Sequence, residues 1–259
     1  MDLDTLLSTG VQIGVTPELD ALLSRGDSGR SVKSYLIACL VEGKSKKTID
    51  IYRRAIVGLA RYGAECDWPP VTRIETTHIR QYLLSLMESG NKPATVHQAY
   101  RSLKTFYNWL VNESMIVASP MLHVRPPKVP NLVVKPLTKS DIQKMLLICS
   151  GADFLSARNR AIFLVFLDTG LRLSELAGIQ LKDIDINAGT ILVMGKGAKE
   201  RRVRLGSTAL KYLLKYLLMR NDSLPALWLT EERSVLDRDG VKTLIRRLFA
   251  RAGISGVKC

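Results

Sequence analysis

Five prolines fall within residues 119–136, SPMLHVRPPKVPNLVVKP, and no helical period runs through the stretch. Each proline fixes its own φ and withholds a backbone donor, so the stretch is biased to extended forms and is expected to belong to neither of the cores that flank it. It divides a chain of 259 residues, about twice the length of a usual domain, into two units that can each bury a core. The expected organisation is a flexible lead-in over residues 1–30, a helical domain over 31–118, the linker over 119–136 and a mixed domain over 137–259.

The lead-in carries Gly10, Gly14, Pro17, Gly26 and Gly29 among polar residues, with one apolar patch at Leu19 to Leu23. From Ser31 the apolar positions Val32, Tyr35, Leu36, Cys39 and Leu40 follow helical spacing up to Gly43. A second helix is expected from the cap-like Thr48 through Ile49, Tyr52, Ile56 and Leu59. A third follows Thr76 or Thr77, with Ile79, Tyr82, Leu83, Leu86 and Met87 on one face, and a fourth opens on Pro93 and carries Val96, Tyr100, Leu103, Tyr107 and Leu110. Beyond the linker, Thr138 and Asp141 make a capping-box signature, and Asn159 to Leu167 is an almost wholly apolar helix that Gly170 ends.

Sheet enters only in this second half. TILVM and RVRL flank the turn-like GKGAKE, the pattern of a β-hairpin, and ALWLT reads as a further short strand. Helices follow Ser207 and run through Val241 to Phe249 up to Gly253. The fold class is α+β, mainly α: a helical domain followed by a mixed domain with a small antiparallel sheet.

Charge narrows the function. Lys and Arg number 38 against 24 Asp and Glu, a net +14 that both halves share, which suits a polyanionic partner. No apolar run approaches the length of a membrane span, and the N-terminus lacks an export signal, so the chain is read as cytoplasmic with no membrane partner. The four cysteines and three histidines never fall at ligand spacing, so neither a disulfide nor a metal is expected.

Two motifs carry chemistry. TGLRLSELAGI sets Arg172 just past a helix-ending glycine, and MGKGAKERRVRLG sets Lys196 on a hairpin turn. Either alone is ordinary surface; together they offer a guanidinium fork and an ammonium to one phosphate. The glycine-rich turn is not a nucleotide-binding loop, since Gly197 follows Lys196 and a basic strand, not a helix, comes next.

On these residues the chain resembles the tyrosine recombinases, or phage integrases, across nearly all of its ordered length. TGLRLSEL is similar to the box holding the family's first catalytic arginine, which puts that role on Arg172. Glu175 matches the acidic residue that supports the site, and Lys196 matches the lysine of the hairpin turn. The helical unit and its linker resemble the family's core-binding, SAM-like domain and the joint of a clamp around double-stranded DNA. The resemblance implies transfer of a DNA phosphodiester to a tyrosine, through a 3′-phosphotyrosine, and religation to another strand without metal, ATP or other cofactor. Planar arginines suit the charge that gathers on the non-bridging oxygens, and a lysine can protonate the leaving 5′ oxygen.

The family pattern continues with a His-x-x-Arg box, a further His or Trp and the nucleophilic tyrosine, and no such residues occur here. Tyr212 and Tyr216 sit on a leucine-rich helix and read as structural. The expectation is a piece of a longer recombinase that binds DNA without cutting it, a monomer whose parent assembles as a tetramer on paired sites at the nucleoid. The rivals are a non-enzymatic regulator of a recombination site and a type IB topoisomerase. Further phosphate contacts are expected from Lys44, Lys46, Lys47, Arg53, Arg54, Arg101 and Lys104 in the first half and Lys199, Arg201, Arg202 and Arg204 around the turn. Trp68, Trp109 and Trp228 read as core anchors.

Overall fold

The computed structural model describes residues 26–131, 135–195 and 200–255, with the backbone alone for residues 26–28. The chain divides into two compact units, Met1–Asn131 and Leu132–Cys259.

The first unit is helical: α1 (Gly26–Val41), α2 (Lys46–Glu65), α3 (Thr76–Glu88) and α4 (Pro93–Asn112). Their apolar faces close over one core in which Val32, Ile56, Leu59, Ile79, Val96, Leu103, Phe106 and Leu110 are fully buried. Three helix starts differ from those the sequence suggests. Helix α1 begins at Gly26 and not at Ser31; Gly29 is buried, and packing outweighs the poor helix propensity of glycine. Helix α2 is capped by Ser45, whose Oγ accepts the N–H of Thr48 at 3.2 Å, so Thr48 lies inside the first turn. Helix α3 starts at Thr76, and His78 closes its cap by accepting the N–H of Glu75 on Nδ1 at 3.0 Å.

The proline-bearing stretch is not free of both cores. Met121 and Val124 are buried in the first one. Residues 120–123 turn instead of running extended, with the Leu122 N–H on Ser119 O at 3.1 Å and the Val124 N–H on Met121 O at 3.2 Å, and α3 and α4 supply donors to the carbonyls these turns leave over: Thr76 to Pro120 O at 2.9 Å, Arg80 to His123 O at 3.1 Å and Tyr100 to Val124 O at 3.0 Å. The first half of the expected linker therefore belongs to the helical unit, and the division falls after Asn131.

In the second unit, α5 (Lys139–Ile148) carries the capping box in full: Thr138 Oγ1 accepts the Asp141 N–H at 3.1 Å and Asp141 Oδ2 accepts the Thr138 N–H at 3.0 Å. Helix α6 (Phe154–Thr169) starts five residues before Asn159, at an Asp153 cap that accepts the Ser156 N–H at 2.9 Å, and ends at Gly170 with φ +60°. After the short α7 (Leu173–Ala177) come β1 (Ile184–Asp185), β2 (Thr190–Met194) and β3 (Glu200–Arg204), antiparallel in that order. Helices α8 (Ser207–Leu218) and α9 (Arg238–Arg251) complete the unit.

ALWLT forms no strand; it makes only the isolated bridges Gln180–Ala226 and Leu229–Val235. Its residues Leu227, Trp228 and Leu229 are fully buried, and a side chain replaces part of a ladder: Tyr216 donates its hydroxyl to Leu227 O at 2.9 Å and accepts the Leu229 N–H at 3.2 Å. That bonding gives Tyr216 the structural role the sequence suggests. Trp228 is a core anchor, whereas Trp68 and Trp109 are only half-buried against the first core.

Candidate active site

Gly170 stops α6 in the left-handed region, its N–H bonded to Phe166 O at 3.1 Å, and the chain turns at once into α7. Leu171 is buried, so the next residue, Arg172, faces outward as the N-cap of α7. Glu175 lies one turn on. Its Oε2 accepts the Arg172 N–H at 2.9 Å and its Oε1 accepts Arg172 Nη1 at 3.0 Å. Glu175 is therefore both a backbone cap and the counter-ion of Arg172.

A third residue joins from the sheet. Arg201 on β3 donates Nη1 to Glu175 Oε1 at 2.9 Å and Nη2 to Oε2 at 2.7 Å, a two-pronged ion pair. The register explains it: Val193 pairs with Arg201 and Ile191 with Val203, and Ile191 and Val193 are buried, so Arg201 and Val203 share the inward face while Arg202 and Arg204 point away. The carboxylate of Glu175 is 4% exposed, against 70% for the Arg172 side chain and 42% for Arg201. One buried anion thus holds two cations at the surface. Glu175 is the only polar partner of the Arg172 side chain among the described residues, and the rest of that guanidinium fork opens to solvent.

The Arg201 guanidinium first, opposed by burial and assisted by the backbone and side chain of Arg172, holds the Glu175 carboxyl down at about 2. A depressed carboxyl stabilises the fold above its ordinary value of 4.5 and loses that contribution as pH falls through 4.5 toward about 2. Glu175→Gln is therefore expected to unfold more easily than the parent chain by about 2 kcal/mol near neutral pH, after allowance for solvent on the outer side of both guanidiniums. The difference shrinks toward zero in urea unfolding series taken down to about pH 2. Asp50, Asp141, Asp153, Asp222 and Glu232, also lowered, are common to both chains and cancel. A difference that stays constant with pH rules this linkage out.

Lys196 and Lys199 lie outside the described residues. Arg201 is turned toward Glu175 rather than outward, and Arg202 and Arg204 are exposed. In the first unit Lys46, Lys47, Arg101 and Lys104 are exposed, while Lys44 pairs with Glu42. Arg53 is half-buried, with its side chain 13% exposed and bonded to Asp50 at 2.7 Å. Arg54 also pairs with Asp50 but is exposed, and with Tyr82 and Gln98 it lines a groove among α2, α3 and α4. Among the described residues no His, Cys, Asp and Glu group has the makings of a metal site, and no helix is long and apolar enough to cross a membrane.

The sequence gives no warning of Arg158. It is buried, donates Nη1 to Leu229 O at 2.7 Å, and binds Asn159 Oδ1 through Nε and Nη2. Only its spacing hints that it faces inward, three, four and seven residues before the buried Ala161, Ile162 and Val165.

Residues 135–258 match the model of the phage integrase family, and residues 30–116 match that of the phage integrase N-terminal SAM-like domain. Tyrosine recombinase XerD of Oceanobacillus iheyensis is 31% identical over 223 residues, 82% of this chain and 74% of that protein. Tyrosine recombinase XerC of Proteus mirabilis is 30% identical over 231 residues, covering 88% and 73%. A lambda integrase dimer bound to a COC′ core site has a similar fold, with a TM-score of 0.70 at 19% identity over 87% of this chain and 81% of that one.

Proposed function

Because the chain belongs to the phage integrase family, the tyrosine recombinases that break and rejoin DNA, we propose that Arg172 grips the phosphate to be cut in a site-specific recombination. The observation that carries this reading is the Arg172–Glu175 pair, in which a buried carboxylate fixes one edge of a guanidinium and leaves the rest exposed. A phosphodiester already carries a negative charge, and attack concentrates more on its non-bridging oxygens. A planar fork anchored from behind meets that charge with little reorganisation. Lys196 is assigned the protonation of the leaving 5′ oxygen and Glu175 the support of Arg172. Lys46, Lys47, Arg54, Arg101, Lys104, Lys199, Arg202 and Arg204 are assigned to the backbone of the duplex.

These 259 residues hold no histidine after His123 and no His-x-x-Arg sequence. By themselves they bind double-stranded DNA as a monomer and do not cut it; the tetramer on paired sites belongs to the complete recombinase, working on DNA in the cytoplasm. The test is fluorescence anisotropy with a duplex, alongside a nicked suicide substrate analysed under denaturing conditions. The expected result is a rise in anisotropy that salt reverses, and no denaturation-resistant adduct. An adduct overturns the non-cutting assignment. Failure to bind any duplex at low salt overturns the DNA assignment, and unchanged binding by Arg172→Ala removes Arg172 from it.

A further inference from the structure

The geometry points to Arg201 as a positioning residue of the reaction centre: by taking both oxygens of Glu175 it keeps Arg172 free to meet a phosphate. This rests on the reading of Arg172 as the phosphate grip. Two cations compete for one buried carboxylate. Arg201 holds it with two parallel bonds, at 2.9 and 2.7 Å, while Arg172 makes a single side-chain bond at 3.0 Å and owes its placement as much to the backbone bond at 2.9 Å. The carboxylate is almost wholly excluded from solvent, so its charge has to be met by protein.

With Arg201 present that requirement is filled from the strand. Without it, Arg172 becomes the only cation bonded to a buried anion, and its fork folds back to take both oxygens. The same guanidinium cannot then present its planar edge to DNA. The inward direction of Arg201 is set by the sheet: it shares the face of Val203 and stands opposite the buried Val193. The residue is therefore aimed at Glu175 by strand register, and it ties β3 to the helix start that carries Arg172.

The experiment measures what Arg172→Ala costs in duplex affinity, at low salt, in four backgrounds of the 259-residue chain: parent, Arg201→Ala, Arg201→Lys, and Arg201→Ala with Glu175→Gln. In the parent the cost is expected to be about tenfold. In Arg201→Ala it falls below about twofold, because Arg172 is already withdrawn. Arg201→Lys, with one point donor instead of a fork, gives an intermediate cost. In the double background the cost recovers part of the way to its parental value: no carboxylate remains to capture Arg172, while the anchor that Glu175 gives its guanidinium is weakened.

That return is the readout a merely structural role does not produce, since the double variant lacks the ion pair altogether. It also keeps the comparison usable if Arg201→Ala alone leaves the buried carboxylate too costly to fold. An equal Arg172→Ala cost in the parent and in Arg201→Ala or Arg201→Lys overturns the inference, as does failure of the double background to restore part of it. No cost in the parent chain overturns the phosphate role of Arg172, and the inference with it.

Discussion

Duplex affinity of this chain will fall about a thousandfold when salt is raised from about 50 mM to about 200 mM, with a log–log slope of about −5 if about six phosphates are neutralised. Each cation set against a phosphate releases condensed counterions, and that entropy is lost as bulk salt rises. The supply of cations is uneven. From Leu132 onward there are 22 Lys and Arg against 12 Asp and Glu, so +10 of the net +14 lies in the second unit, and the two halves share the excess less evenly than the whole-chain total suggests. Not all of it is available to DNA. Arg158 is buried on a carbonyl, Arg220 is bonded to Asp222 and to the Leu224, Ala226 and Leu227 carbonyls, and Arg201 is spent on Glu175. Arg172, Arg202, Arg204, Lys242, Arg246 and Arg247 are exposed. Replacing Arg202 or Arg204 by alanine should flatten the slope by about 1 each, whatever the DNA sequence. A slope near zero in titrations from low to high salt would refute a phosphate-dominated interface.

The features legible in the sequence are those decided by near neighbours in the chain. The Thr138–Asp141 capping box, the proline opening α4 and the glycine ending α6 each depend on contacts three or four residues away, and each stands where the pattern puts it. The hairpin follows from a period of two on either side of a glycine-rich turn. The family box was legible too, because Arg172 and Glu175 meet across one helical turn.

Helix starts set by local caps at Ser45, Glu75 and Asp153 also went unread, but the larger misses depend on distant partners. Arg201 reaches Glu175 across 26 residues and Arg158 reaches Leu229 across 71, and a basic residue in a row of basic residues carries no mark of which one turns inward. Register supplies that mark: once Val203 is placed on the core face, Arg201 two residues back must share it. The proline stretch failed as a simple linker for a related reason. Proline count reports backbone stiffness, whereas the burial of Met121 and Val124 follows from hydroxyl and guanidinium donors on two helices earlier in the chain.

The tether behind the site gives the largest expected loss of stability. Trp228 is fully buried, stacks on Tyr216 with ring centroids 5.6 Å apart, and donates Nε1–H to Leu176 O at 2.7 Å. Leu176 follows Glu175 directly, so this bond fixes the helix that carries the site's carboxylate. Trp228→Ala removes a large apolar surface and opens a cavity among side chains that cannot all collapse into it, at a cost of about 4 kcal/mol. It also leaves the Leu176 carbonyl with only its long bond from the Ile179 N–H, at 3.5 Å, and the contact of the Gly178 N–H that caps the helix. Trp228→Phe separates the two effects, since it keeps most of the ring packing and loses the donor, for about 1–3 kcal/mol. Urea unfolding followed by circular dichroism should therefore rank the parent above Trp228→Phe and that above Trp228→Ala. Duplex affinity should drop in Trp228→Phe as well, because α7 is freed at its C-terminal side while Arg172 itself is untouched. If Trp228→Phe keeps both the stability and the affinity of the parent, the indole bond does not hold the site, and Glu175 is positioned by its two arginines alone.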